Sequence, residues 1–129
     1  MIQYKIGNLI TALKEGEVDA IAHQANCFCT MRSGIAPQIA REWPSVTIAD
    51  SSTRRGDKNK LGSVTRAVTQ NGTVFNIYGQ YHWLRSHPEY GTSYDHLGSG
   101  LKLVRLLMDT AQTKRLGLPL IGCGLARVS

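Results

Sequence analysis

The chain has 129 residues, 13 of them glycine, a size that suits one domain with one core over residues 1–129 rather than several. Fifteen Lys and Arg against nine Asp and Glu give a net charge of +6, which favours an anionic ligand, whether phosphate, nucleotide or nucleic acid. No positive-then-apolar signal segment is read and no apolar run is long enough to span a bilayer, so a cytoplasmic protein without membrane contact is expected. Cys27, Cys29 and Cys123 are odd in number, and a single residue separates the first two, which reads as reduced thiols.

In chain order, Ile2 to Ile6 alternates as a strand, and Gly7-Asn8 breaks it. Leu9 to Lys14 reads as a short helical turn, and Glu15-Gly16-Glu17 as a loop. Asp19 to Ala25 reads as a strand covered on both faces, its run of Ala20, Ile21, Ala22 and Ala25 interrupted by His23 and Gln24. Asn26 to Ser33 turns the chain. Ser33 is placed to cap a helix opened by Gly34-Ile35-Ala36-Pro37, with proline in the tolerated first turn. Ile35, Ile39 and Trp43 share one face, and Pro44 stops the helix. A strand, a small-residue loop and the unpaired N–H groups of a helix start make an anion site. Most such turns bind nothing, so a plain βα unit is the competing reading.

Ser45 to Asp50 reads as a second short helix. Ser51 to Lys60 carries four basic residues and one Asp, and reads as a solvated loop before it reads as a phosphate grip. No aromatic residue interleaves with these charges, so no stacking platform for single-stranded nucleic acid is indicated. Ser63 to Gln70 is β-branched and reads as a strand, Asn71-Gly72 as a hairpin turn, and Val74 to Tyr78 as the returning strand. Gly79 to Gly91 is a loop dense in aromatics and His, suited either to lining a pocket or to lying on the surface. Thr92-Ser93-Tyr94-Asp95 reads as a capping-box variant. Leu97, Leu101, Val104, Met108 and Ala111 then recur at helical spacing, with Gly98 and Gly100 weakening the first turns. Lys114 and Arg115 are expected in the last turn and Gly117 as its stop. Leu118 to Ile121 reads as a short strand, and Gly122 to Ala126 as a second small-residue loop after a strand.

Two such loops at the carboxyl edge of an open α/β sheet can clasp a diphosphate with backbone N–H groups. The GxGxxG of dinucleotide-binding folds and the GxxxxGK[ST] of P-loops are both absent. At Asp19 to Asn26, at Ser33-Gly34-Ile35-Ala36 and at Leu118 to Leu125 the sequence resembles the macro domain family of ADP-ribose-binding modules. The His-x-x-Asn-Cys followed by Gly-Ile-Ala resembles the branch containing ADP-ribose 1''-phosphate phosphatases and terminal ADP-ribose glycohydrolases, phage members included.

That resemblance implies a three-layer α/β/α fold with a mixed central sheet. It places Gly7 and Asn8 near adenine and Asn26 near the distal ribose. It gives one phosphate to Ser33, Gly34, Ile35 and Ala36, and the other to Gly122, Cys123, Gly124, Leu125 and Ala126. His23 falls where a catalytic histidine is proposed for the phosphatase-like members, and a histidine hydrogen-bonded inside the sheet is the competing reading. No metal and no cofactor are implied. Asn8 stands where the family often has Asp, Gln80 where the glycohydrolases use Lys, and Ala126 nearest to their Asp. The ending Ala126 to Ser129 leaves out the family's last helix and strand, so a C-terminally shortened domain with a bare edge prone to self-association is expected. The function that follows is a hydrolase acting on ADP-ribose 1''-phosphate or an ADP-ribosyl derivative. A non-catalytic ADP-ribose-binding module stands close behind it. A nucleic-acid-binding protein and a metal site built from His23 and the three cysteines rank below these.

Overall fold

A computed structural model describes residues 8–32, 34–83 and 91–119. The expected first strand at Ile2 to Ile6, the residue Ser33 and the whole second loop, Gly122 to Ala126, lie outside the described residues.

The centre of the molecule is β1 (Ala20–Asn26). It pairs in parallel with β3 (Gly72–Gln80) on one side and with β4 (Leu116–Gly117) on the other. The hairpin partner β2 (Val64–Thr69) runs antiparallel to β3, which gives a mixed sheet in the order β2-β3-β1-β4. Both faces of β1 are covered, as its short run of small apolar residues requires. Ala20 and Ala22 join Phe75 and Ile77 beneath Leu97, Val104 and Met108 of α4 (Tyr94–Thr110). Ile21 and Val74 face the opposite layer. That layer consists of α1 (Leu9–Lys14), α2 (Ala36–Glu42) and α3 (Pro44–Ser51), through Leu13, Ile39 and Val46. The result is the expected three-layer α/β/α arrangement.

Several local expectations shift. α2 starts at Ala36 with Ile35 in the capping position and no side-chain cap, later than a Ser33 cap requires. Pro37 still occupies the first turn, and Trp43 ends the helix before Pro44. The hairpin turns at Gln70-Asn71, because Thr69 pairs with Gly72. Gly72 is already in the strand at φ +145°, and a Cβ there would lie 2.5 Å from the Asp19 carbonyl oxygen. α4 is capped by Ser93 rather than Thr92, and the side chain that reaches back is that of His96, with Nδ1 2.7 Å from Ser93 Oγ.

The end of α4 differs most. The helix stops at Thr110, Ala111 is exposed, and Gln112 takes the left-handed conformation at φ 59° that glycine was expected to supply. Lys114 and Arg115 therefore lie past the helix. Their backbone N–H groups donate to Asp19 Oδ2 at 3.1 and 2.9 Å, which ties the approach to β4 to the start of β1. These two bonds, with the Arg115 charge, hold the Asp19 carboxyl below its ordinary pKa. Gly117 is a strand residue, and a Cβ on it would meet Leu9 Cδ1 at 2.7 Å. Leu116–Gly117 form the described strand here, Leu118 and Pro119 follow it outside any strand, and Leu120 and Ile121 of the expected strand lie outside the described residues.

Candidate functional site

β1, β3 and β4 are parallel, so their carboxyl ends share one edge of the sheet. Ligands of open α/β sheets sit at that edge. Two described segments meet there: residues 26–32, which follow β1, and Tyr81 to Trp83, which follow β3, with Cys27 N donating to Tyr81 O at 3.0 Å. Leu13 lies against Gly72 at the amino end of β3, and Leu9 lies against Gly117, the partner of Ile21, so α1 runs with its first residue directed towards the carboxyl side of the sheet.

Asn26 is buried at the tip of β1. Its Nδ2 donates to the Thr30 carbonyl at 3.1 Å and to Thr30 Oγ1 at 2.8 Å, and its Oδ1 accepts from Phe28 N at 2.8 Å. The side chain thereby fixes the fold of the following turn. Cys29 within that turn has φ 58°, and Gly34 before α2 has φ 62° with open space around it. The chain then enters α2, where Pro37 carries no N–H and Gln38 N donates to Ile35 O at 3.1 Å. Ile35 packs on the inner layer and Ala36 is buried, so Gly34 is the exposed member of this trio.

Asn8 is exposed and caps α1, its Oδ1 accepting from Ile10 N at 2.9 Å and Thr11 N at 3.2 Å. The cap uses the oxygen and directs the amide nitrogen elsewhere. Gly7, Ser33, Gly122, Cys123, Gly124, Leu125 and Ala126 lie outside the described residues, so of the expected ligand set Asn8, Asn26, Gly34, Ile35 and Ala36 are described.

His23 is 1% exposed and faces the α2–α3 layer. Asn76 Nδ2 donates to Val46 O at 3.3 Å and to Thr65 Oγ1 at 3.1 Å, which fixes that amide. Its Oδ1 then accepts from His23 Nε2 at 2.6 Å. Burial drives the imidazole pKa down from 6.5 to about 4 against the opposing pull of the Asn76 bond, so the ring is neutral at neutral pH. His23, for which the resemblance implies a catalytic role, is thus placed as a buried residue hydrogen-bonded to Asn76 within the sheet.

Sequence reasoning missed two features. The basic loop keeps Arg54, Arg55, Lys58 and Asn59 exposed but is anchored through its middle: Gly56 N donates to Cys27 O, Tyr81 Oη donates to Gly56 O at 3.2 Å, and Lys58 Nζ lies 5.0 Å over the Tyr81 ring. Phe28 makes edge contacts with Tyr81, His82 and Trp83, and His82 stacks on Trp83 at 3.9 Å. The aromatics that the loop lacks in sequence are supplied in space from the segments that follow β1 and β3. The second feature is Lys60, which is 8% exposed despite its wholly polar sequence surroundings. No local spacing signals either one.

Gln80 ends β3 beside Gln24, whose Nε2 donates to Thr92 Oγ1 at 3.0 Å. Among the described residues, no three His, Cys, Asp or Glu side chains converge as a metal site, and no helix is long and apolar enough to cross a membrane.

With that geometry in view, comparison with solved structures is decisive for the fold. The macrodomain of Mycobacterium tuberculosis DarG is similar with a TM-score of 0.74 at 19% identity, over 100% of this chain and 82% of that one. The chain has the macrodomain fold. The macrodomain of Thermus aquaticus DarG gives 0.70 at 22% identity, over 92% and 75% of the two chains. Thermosipho africanus DarTG, solved in complex with ADP-ribose, gives 0.68 at 16% identity, over 90% of this chain and 33% of that chain. In sequence, the chain is 36% identical over 86 residues to the "uncharacterized 17.5 kDa protein in tk-vs intergenic region" of Enterobacteria phage T4. The match takes in 63% of this chain and 54% of the phage protein, so it spans about half of that relative's length. No family model matches the sequence.

Proposed function

We propose that this chain binds ADP-ribose at the carboxyl edge of β1. The connection from Asn26 to Ala36 carries the reading. It leaves a strand flanked by two parallel neighbours, is shaped by the Asn26 side chain and by positive φ at Cys29 and Gly34, and ends at the start of α2. The macrodomain fold, which DarTG of Thermosipho africanus shares in its complex with ADP-ribose, supports the same ligand. One phosphate is assigned to Ser33, Gly34, Ile35 and Ala36, where the helix start favours negative charge. Adenine is assigned to the side of Gly7 and Asn8, and the distal ribose to Asn26. Gly122, Cys123, Gly124, Leu125 and Ala126 are assigned to the second phosphate.

Binding is the reading favoured over hydrolysis. His23 is enclosed, neutral and engaged with Asn76, so it offers no group to a phosphate monoester. Gln80 carries an amide, which forms no lysine-type adduct.

Titration calorimetry with ADP-ribose, run beside phosphate release from ADP-ribose 1''-phosphate on one preparation, tests both halves. Saturable 1:1 binding without turnover is expected. Turnover abolished by His23→Ala in a folded protein would restore the hydrolase, and the absence of binding in a folded protein would remove ADP-ribose altogether.

A further inference from the structure

Just past the carboxyl end of β3 lies a surface that takes no part in the ligand set proposed above. Phe28 sets its ring edge-on to those of Tyr81, His82 and Trp83, with centroids 5.0, 4.7 and 5.9 Å away. His82 stacks on Trp83 at 3.9 Å with the two planes 21° apart, and Trp83 still leaves 39% of its surface open. The basic loop rests against this cluster. A Cβ on Gly56 would meet the Phe28 ring at 3.2 Å, and Lys58 Nζ stands over the Tyr81 ring. Arg54, Arg55 and Lys58 are exposed, and residues 54–59 line one open depression of about 470 Å³.

Two chemistries therefore meet on one surface. Three cations in solvent attract phosphate, and the acid of the loop, Asp57, turns an oxygen inward to Asn59 N at 2.8 Å. Beside them an indole backed by a stacked imidazole offers a stacking face at little cost in side-chain freedom. Single-stranded nucleic acid presents phosphates and unstacked bases together, and proteins hold it with this pairing of basic groove and aromatic platform. A duplex offers the phosphates but keeps its base faces stacked inside. An acidic peptide or an anionic lipid carries no bases.

We propose that Trp83 and His82, braced by Phe28, form with Arg54, Arg55 and Lys58 a binding site for single-stranded nucleic acid: a base stacks at Trp83 and the three cations hold the neighbouring phosphates. The site does not depend on the ADP-ribose reading, since none of Asn8, Gly34, Ile35 and Ala36 belongs to it.

The test is fluorescence anisotropy with a labelled oligothymidylate, a labelled oligouridylate and a DNA duplex of equal length. Wild type is expected to bind single strands at least tenfold more tightly than duplex, and the tighter of the two single strands identifies DNA or RNA as the partner. The variant Arg54→Ala/Arg55→Ala/Lys58→Ala is expected to lose at least tenfold in affinity and to respond less steeply to salt. Removing the same charge elsewhere, as Arg66→Ala/Lys102→Ala/Arg105→Ala on β2 and α4, is expected to cost less than threefold. Trp83→Ala is expected to weaken binding several-fold with the salt dependence unchanged. Binding of neither single strand overturns the proposal, as do equal affinity for duplex, equal losses in the two triple variants, or unchanged affinity in Trp83→Ala. Should Trp83→Ala fail to fold, tryptophan emission of wild type decides: quenching by the oligothymidylate or the oligouridylate supports the proposal and its absence overturns it.

Discussion

His23 shows how burial decides what a residue can do. In the unfolded chain its imidazole titrates near 6.5, whereas the native ring titrates at about 4 because burial excludes the charged form. Below pH 6.5 the unfolded chain takes up a proton that the native state refuses. The stability contributed by the neutral ring is complete above that pH and declines as the pH falls towards 4, by about 3 kcal/mol in all. Asp50, whose carboxyl burial raises, works in the opposite direction, so the clean comparison is with His23→Gln. Urea unfolding at pH 7 and pH 4.5 is expected to show wild type losing roughly 2–3 kcal/mol more than the variant over that interval. Equal losses would contradict the burial of the ring. Asn8 permits a gain. Its oxygen already caps α1, and Asn8→Asp keeps one oxygen for the cap while offering the other to the exocyclic amine of a purine. The expected improvement in ADP-ribose affinity is about 1 kcal/mol, roughly fivefold by calorimetry. No gain would move the base away from α1.

At the scale of elements, α4 separates two glycines that look alike in sequence. A Cβ on Gly100 would collide with Ile77 Cγ2, so this glycine lets the helix lie close on β3. Gly98 has nothing within 4 Å. Gly98→Ala is expected to stabilise by up to about 1 kcal/mol, the ordinary helix preference for alanine. Gly100→Ala is expected to destabilise by about 1–3 kcal/mol, because overpacking outweighs that preference. Chemical denaturation of both variants checks the pair, and equal effects would refute this packing. The helices and β1 were legible because their patterns are local: the Leu97, Val104 and Met108 stripe, the Pro44 stop, the apolar run from Ala20. The end of α4 was not. Its left-handed residue is Gln112 rather than a glycine, and the bonds that recruit Lys114 and Arg115 come from Asp19, far away in sequence. The same two bonds predict that Asp19→Ala costs about 1–2 kcal/mol, measurable as a lower urea midpoint, since two N–H groups lose a charged acceptor.

For the whole molecule, the site is an edge rather than a cavity within one element. The sheet order puts β1 between two parallel partners, and the carboxyl ends of β1 and β3 fall together at Asn26 and Gln80. That much follows from the strand–loop–helix pattern at Asp19 to Trp43 and the strand pattern around Val74. What sequence alone conceals is the third dimension of the edge. The aromatic residues Tyr81 to Trp83 meet Phe28, the basic loop docks on them, and Lys60 turns inward to Thr53. Each contact joins segments with no shared local pattern, so no periodicity or spacing announces it.

The measurement that tests the central claim most directly is an amide-resolved NMR titration of the ¹⁵N-labelled chain with ADP-ribose. Saturable shifts at Asn8, Asn26 and Gly34 to Ala36 are the predicted result. Shifts confined to Arg54 to Asn59, or none in a folded protein, would contradict a ligand site at the carboxyl edge of β1.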